Sequence, residues 1–185
     1  QESVAKPVLS VRLQSLASDE STALAQVMLA IEQDPPPPLE AQRVVEQALD
    51  LNPTPLQRAR LYEFLADAWA EGLPGGFLFT QASGAQPPSQ HALEALQLAL
   101  ASLEGLPDPG GDALRLQRAR LLRKKALQEI RLRMLPQAFD STQAAFECLT
   151  EHPNHPEQPR LRLALGKIYL LQGFAGKGLR ALEEG

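Results

Sequence analysis

The chain of 185 residues has little of three things: cysteine, aromatic residues and long apolar runs. Its single cysteine, Cys148, excludes an internal disulfide. Aromatic residues make up only 5%, so alanine and leucine supply the apolar content, as in closely packed helical proteins. No run of about 18 apolar residues occurs, and the sequence therefore predicts no membrane span. A net charge of −4 makes nucleic acid an unlikely partner.

Signatures of catalysis and cofactor binding are also missing. The sequence has no glycine-rich phosphate loop after a strand, no Gly-x-Ser-x-Gly, no His-Glu-x-x-His and no paired-carboxylate pattern. His152 and His155 stand three apart in a proline-rich loop, with only Glu151 and Glu157 beside them. This set falls short of a zinc site, so we interpret it as a surface loop. We expect a protein that is not an enzyme and that needs no cofactor or metal.

The sequence does contain a clear helical periodicity. Within Leu56 to Gly72, the side chains of Tyr62, Leu65, Ala66 and Trp69 follow the spacing i, i+3, i+4, i+7. The small alanine between larger residues allows a second helix to pack closely. A stripe this narrow needs a partner helix to cover it. The stripe Leu24, Val27, Met28 and Ile31 has the same spacing.

The 16 prolines and 12 glycines cluster between periodic segments and mark their boundaries. Residues 1–19 are expected to form an extended arm or a lead-in. The predicted helices are 19–33 with caps at Ser18, Asp19 and Ser21, Leu39–Leu51, Leu56–Gly72, 90–103 capped by Ser89, Asp112–Arg133, Pro136–Thr150, Arg160–Gln172, and a last one from Gly176 with Leu179 and Leu182 inward.

These segments repeat. Their central residues fall at Met28, Ala66, Ala126 and Gly166, with steps of 38, 60 and 40 residues, and the long step contains an insert. The six residues Leu-Gln-Arg-Ala-Arg-Leu at 56–61 also recur at 116–121. Four units in phase indicate an array of helix pairs.

The motifs Tyr62-x-x-Leu65-Ala66-x-x-Trp69, Leu165-Gly166-x-x-Tyr169-x-x-x-Gly173 and Ala48-Leu49-x-Leu51-x-Pro53 resemble those of the tetratricopeptide repeat family. The resemblance implies an all-α, right-handed α-solenoid of about four antiparallel helix pairs. Its units would span about 20–53, 55–107, 112–153 and 157–185. Lys125 and Glu129 depart from the family, which prefers bulky apolar residues there. An unrelated up-and-down helical bundle is the alternative fold.

The predicted fifth helix is strongly basic, with eight basic and two acidic residues between Asp112 and Arg133, a local net charge of +6. In the family, first helices line the concave groove, and the resemblance places Arg60, Arg120 and Arg160 along it, with Arg123 and Lys167 nearby. Guanidinium groups suit carboxylates and phosphates. One hypothesis is a groove for an acidic peptide or protein segment. The alternative is a solvated helix face whose charges pair with Glu63, Asp67 and Glu71.

The insert Leu73 to Pro88 combines loop-forming glycines with the apolar residues Phe77, Leu78 and Phe79. It is either a flap or subunit contact, or a plug over its own helix pair. The last pair breaks off at Gly185, which predicts a fragment of a longer protein or a homodimer through the C-terminal end.

We therefore expect a non-catalytic protein–protein interaction scaffold. Alternatives are a sensory or regulatory module of a larger bacterial signalling or transcription protein, or an exported assembly factor. A cytoplasmic location is expected, with a periplasmic one if Gln1 follows a removed signal peptide.

Overall fold

The computed structural model describes residues 20–71, 86–106 and 112–183, and every regular element in these ranges is an α-helix. The prediction of an all-α protein is confirmed. The predicted arm at 1–19 and Phe77, Leu78 and Phe79 of the insert lie outside these ranges. The helices are α1 (Glu20–Gln33), α2 (Pro38–Leu49), α3 (Pro55–Glu71), α4 (Pro88–Ser102), α5 (Asp112–Arg131), α6 (Leu135–Cys148), α7 (Glu157–Leu171) and α8 (Ala175–Glu183).

Prolines begin several of these helices, as the punctuation in the sequence predicts. Pro38, Pro55 and Pro88 are the first residues of α2, α3 and α4. Proline suits this position because its fixed φ is helical and its missing N–H would have no partner within the helix. The predicted cap at Ser89 is wrong: Pro87 precedes α4, and no side chain caps that helix.

Two helices end in the same way, forty residues apart. Arg133 after α5 has a φ of 62° and Gly173 after α7 has a φ of 85°. The N–H of Met134 donates to the carbonyl of Glu129, and the N–H of Phe174 donates to the carbonyl of Tyr169; the N···O distance is 2.8 Å in both bonds. These bonds define a Schellman motif in both places. The short turns that follow lead directly into α6 and α8.

The helices pack mainly as consecutive pairs. Contacts are most extensive within α3–α4, α5–α6 and α7–α8, and less extensive from one pair to the next. Helices α5 and α7, which are two apart in sequence, also contact each other. Helices α1 and α2 contact each other less and share an apolar cluster with α3.

The predicted stripe of α1 is confirmed, because Leu24, Val27 and Ile31 are buried and Met28 packs against them. The stripe of α3 is only partly right. Its fully buried residues are Ala59, Leu61, Glu63 and Ala66, whereas Tyr62, Leu65 and Trp69 are half-buried. This difference leaves one apolar face of α3 accessible between its neighbours.

The last helix pair also differs from prediction in detail. Helix α7 begins at Glu157, three residues before the predicted Arg160. In α8, Leu182 lies inward against Gly166, but Leu179 is 56% exposed and the prediction that it lies inward is wrong. Gly166 of α7 and Gly178 of α8 face each other where the two helices cross, so the helices approach on the side of Leu182 and not on that of Leu179.

Candidate functional site

Three of the predicted anion-binding arginines, Arg120, Arg123 and Arg160, lie on an ion-paired face that joins α3, α5 and α7. Arg120 on α5 contacts the carboxylate of Glu63 on α3 at 2.6 Å. Lys124 contacts Glu63 at 2.7 Å and Asp67 at 2.6 Å. Two of the three carboxylates predicted to pair with this helix therefore do so.

An ion pair also joins α5 to α7. Glu157, the first residue of α7, accepts hydrogen bonds from Arg123 of α5 and from Arg160 of its own helix, the latter at 2.7 Å. Glu157 is 95% buried. A buried carboxylate between two guanidinium groups links the start of α7 to the middle of α5.

Part of this ion-paired face is shielded from water, although the side chains of Arg120 and Arg160 are 43% and 60% exposed. The side chains of Arg123 and Lys124 are only 14% and 20% exposed. Arg60 and Lys167, in contrast, are exposed and form no ion pair among the residues that the structure describes. Three of the five predicted anion-binding residues are therefore engaged by the chain's own carboxylates, and two are available.

The ion pairs determine how these carboxyls titrate. Burial raises the pKa of Glu63, but Lys124 and Arg120 outweigh burial and hold the pKa below its ordinary value. Burial also raises the pKa of Glu157, and hydrogen bonds and charge from Arg123 and Arg160 reverse that shift. For Asp67, burial dominates and its pKa is raised, because Lys124 is shared with Glu63 and the neighbouring carboxylates repel a further charge.

A further ion pair lies within α5, on the side that faces α6. Lys125 contacts Glu129 at 2.7 Å and donates to the hydroxyl of Ser141 at 2.8 Å. Glu129 is 98% buried, and its Oε2 has no hydrogen-bond partner among the described residues. This cluster occupies the positions at which the sequence departs from the apolar pattern of the other units. Glu129 is enclosed between the two packed helices, whereas the side chain of Lys125 is 21% exposed.

An accessible apolar groove lies over α3, between α2 and α4. Its volume is about 290 Å³. The apolar lining consists of Val45, Leu49, Tyr62, Leu65, Trp69, Ala95 and Leu98. Trp69 stacks on His91 of α4, with ring centroids 4.4 Å apart. We call this site the α2–α4 groove.

The charged side chains that line the α2–α4 groove are both acidic. Glu46 of α2 and Glu94 of α4 both border it, and no lysine or arginine is among its described lining residues. Each carboxylate accepts a hydrogen bond from a glutamine four residues earlier, and neither has an ion-pair partner within the described ranges. The groove is apolar with an acidic border.

The groove and the ion-paired face lie on opposite sides of α3. Leu65 follows Glu63 by two residues, which places it roughly 200° further around the helix. Glu63 and Asp67 contact α5, whereas Tyr62, Leu65 and Trp69 line the groove. A ligand in the groove would leave the ion pairs between the helices intact.

The histidines of the predicted surface loop have structural contacts. His152 Nε2 lies 3.0 Å from a carboxylate oxygen of Asp112, and His155 Nδ1 accepts from the N–H of Glu157 at 3.2 Å. Across residues 20–71, 86–106 and 112–183, no three His, Cys, Asp or Glu side chains are placed to hold a metal ion. None of the helices in those ranges is both long and apolar enough to cross a membrane.

Reasoning from sequence missed the α2–α4 groove because it assigned Tyr62, Leu65 and Trp69 to a buried stripe. The sizes of the side chains could have indicated the difference. The buried residues at which α3 packs on its neighbours include the small Ala59 and Ala66, whereas the groove residues are large. Position along the chain does not reveal that Glu46 and Glu94 meet at one site.

No family model, no curated protein and no solved structure matches the chain.

Proposed function

We propose that this chain is a non-catalytic scaffold built as a right-handed α-solenoid of tetratricopeptide-like helix pairs, and that it binds a segment of a partner protein in the α2–α4 groove. The observation that carries the proposal is the groove itself, where two aromatic and several aliphatic side chains converge and remain accessible. Apolar concave sites with a few placed polar groups are where proteins bind ligands.

The solenoid is supported by contacts between helices two apart. The ion pairs of Glu63 with Arg120 and of Glu157 with Arg123 join the first helices of successive pairs into one row. Stacked pairs require such a row, since each pair buries its apolar stripe against the next. The Schellman turns at Arg133 and Gly173 add an equivalence between two successive pairs.

The size of the groove favours side chains of a protein segment over a cofactor. A volume of about 290 Å³ lies at the lower limit for small-molecule pockets. It accommodates one or two anchoring side chains, and these often carry most of the binding free energy at protein interfaces.

The test uses Trp69, the only tryptophan of the chain, as a reporter. Peptides selected from a displayed random library on the immobilised chain should change the emission of Trp69 on binding. Leu98→Glu, which places a charge at a groove residue 50% exposed, should abolish that change. Leu163→Glu on α7, 48% exposed and outside the groove, is the matched control. Absence of selected peptides, or binding that survives Leu98→Glu, would refute this function.

A second candidate function is the binding of an acidic segment along Arg60, Arg120 and Arg160, which we call the arginine row. The exposure of Arg60 and of the nearby Lys167 favours it. Arg120 and Arg160 make poor test positions because reversing them would break the ion pairs with Glu63 and Glu157. Arg60→Glu with Lys167→Glu avoids that problem. Loss of an acidic peptide in this variant, with the Leu98→Glu protein binding normally, would favour the row over the groove.

A further inference from the structure

We infer that the occupant of the α2–α4 groove is a basic and apolar segment, with an aliphatic or aromatic anchor next to a lysine or arginine. This inference rests on the proposed function and specifies its partner. It also reverses the charge that the basic helix α5 indicates, because the site lies on the other side of α3 from the arginine row.

The first argument is the charge at the border. Glu46 and Glu94 approach the same groove from different helices, and no cation within the described ranges pairs with either. Helix α5 carries seven basic residues, and none of them is among the described lining of the groove. Four of them, Arg120, Arg123, Lys124 and Lys125, are already ion-paired with carboxylates of α3, α5 and α7. An occupant with a positive charge would therefore meet two carboxylates that have no competing cation within the described ranges, whereas an acidic occupant would meet repulsion.

The second argument is the aromatic lining. Trp69 and Tyr62 contribute rings to the groove, and tryptophan attracts a lysine or arginine cation most strongly among the aromatic residues. The aliphatic part of a long basic side chain also packs on apolar surface while its charged end reaches a carboxylate. Val45, Leu49 and Leu98 provide that surface. One lysine or arginine beside an apolar anchor satisfies both features.

The test compares charge variants of the groove in the full chain, with selected library peptides as probes and Trp69 emission as the readout. Peptides that bind the groove should be enriched in lysine and arginine next to aliphatic or aromatic residues. Glu46→Gln with Glu94→Gln should weaken their binding about tenfold, the size expected for losing two partly exposed ion pairs. Glu46→Lys with Glu94→Lys should select acidic peptides in their place.

The control removes two equal charges elsewhere. Glu104→Gln with Glu147→Gln alters residues that are exposed and do not line the groove, and it should leave affinity unchanged within about twofold. If both double variants weaken binding equally, the effect is the net charge of the protein and the inference is overturned.

Two further outcomes separate this inference from the proposed function. Peptides that depend on Leu98 but carry no basic residue would overturn the inference and leave the function standing. A dimer of the chain, measured by size-exclusion chromatography with light scattering and dissociated by Leu98→Glu but not by Leu163→Glu, would show that a second copy occupies the groove. That result would also overturn the inference.

Discussion

Gly166 of α7 and Gly178 of α8 face each other where the two helices cross. A Cβ built on either glycine lies 3.1 Å from the carbonyl oxygen of the other. The same Cβ atoms lie 2.7 Å from Leu182 and Leu170, respectively. Because the obstacle includes backbone on both sides, the crossing depends on the absence of two methyl groups.

Gly166→Ala and Gly178→Ala should each destabilise the protein. Overpacking costs about 1–3 kcal/mol, and the higher helix propensity of alanine returns only about 1 kcal/mol. Denaturant unfolding measures the difference. Gly176→Ala is the control, since nothing lies within 4 Å of its added methyl, and it should stabilise the chain slightly. Stabilisation by all three substitutions would contradict the close crossing.

Arg133→Gly should stabilise the protein by about 0.5–1 kcal/mol. Arg133 has a left-handed φ of 62°, which costs a residue with a Cβ about 1–2 kcal/mol, and the greater unfolded entropy of glycine cancels part of the gain. Gly173→Ala at the equivalent turn should have the opposite sign. Thermal unfolding of both variants checks the prediction, and shifts of the same sign would count against the equivalence of the two turns.

The buried pair of Lys125 and Glu129 can be replaced from within the chain. Forty residues later, the equivalent positions hold Leu165 and Tyr169. Glu129→Leu alone should destabilise by about 1–3 kcal/mol, because it removes the carboxylate partner of the partly buried Lys125 ammonium, whose other described contact is the hydroxyl of Ser141. The double variant Lys125→Leu with Glu129→Tyr should recover most of that loss. Equal stability of the two variants, measured by urea unfolding, would show that the ion pair is not the cause.

Acid should weaken the row of ion pairs between α3, α5 and α7. The pKa values of Glu63 and Glu157 are lowered in the fold, so the unfolded chain binds more protons and stability falls as pH drops below about 4.3. Asp67 acts in the opposite direction, because its pKa is raised and its folded form is the better proton acceptor.

Glu157→Gln isolates one contribution to this acid sensitivity. The variant should be less stable than the parent at neutral pH, and the difference should shrink as pH falls through the lowered pKa of Glu157. Glu147→Gln, at an exposed residue of α6, serves as the control. A constant difference between pH 7 and acid, in guanidinium unfolding curves, would show that Glu157 contributes through packing rather than charge.

Much of the helical content was predictable because helix formation here depends on local patterns. Leu24, Val27 and Ile31 repeat at helical spacing, and Pro38, Pro55 and Pro88 begin helices for reasons that act within one turn. The pairing of Arg120 and Lys124 with Glu63 and Asp67 could also be anticipated, since an acidic and a basic helix one unit apart are expected to meet.

The candidate site could not be read in the same way. Whether Tyr62 and Trp69 are buried or line a groove depends on how far α2 and α4 stand apart over α3, and the helical period of α3 is the same in both cases. The sequence predicted a basic binding site, whereas the groove has an acidic border. The cause is the same, because the local sequence shows eight basic residues between Asp112 and Arg133 but not which carboxylates neutralise them.

The sequence by itself therefore determined that the described ranges are helical and where most of their helices lie, because propensity and periodicity are properties of short segments. Only the tertiary structure decided which carboxylates neutralise α5, which apolar face of α3 stays accessible, and that Glu46 and Glu94 border one site. These features depend on distances between residues far apart in the chain, and distances of that kind are set by packing.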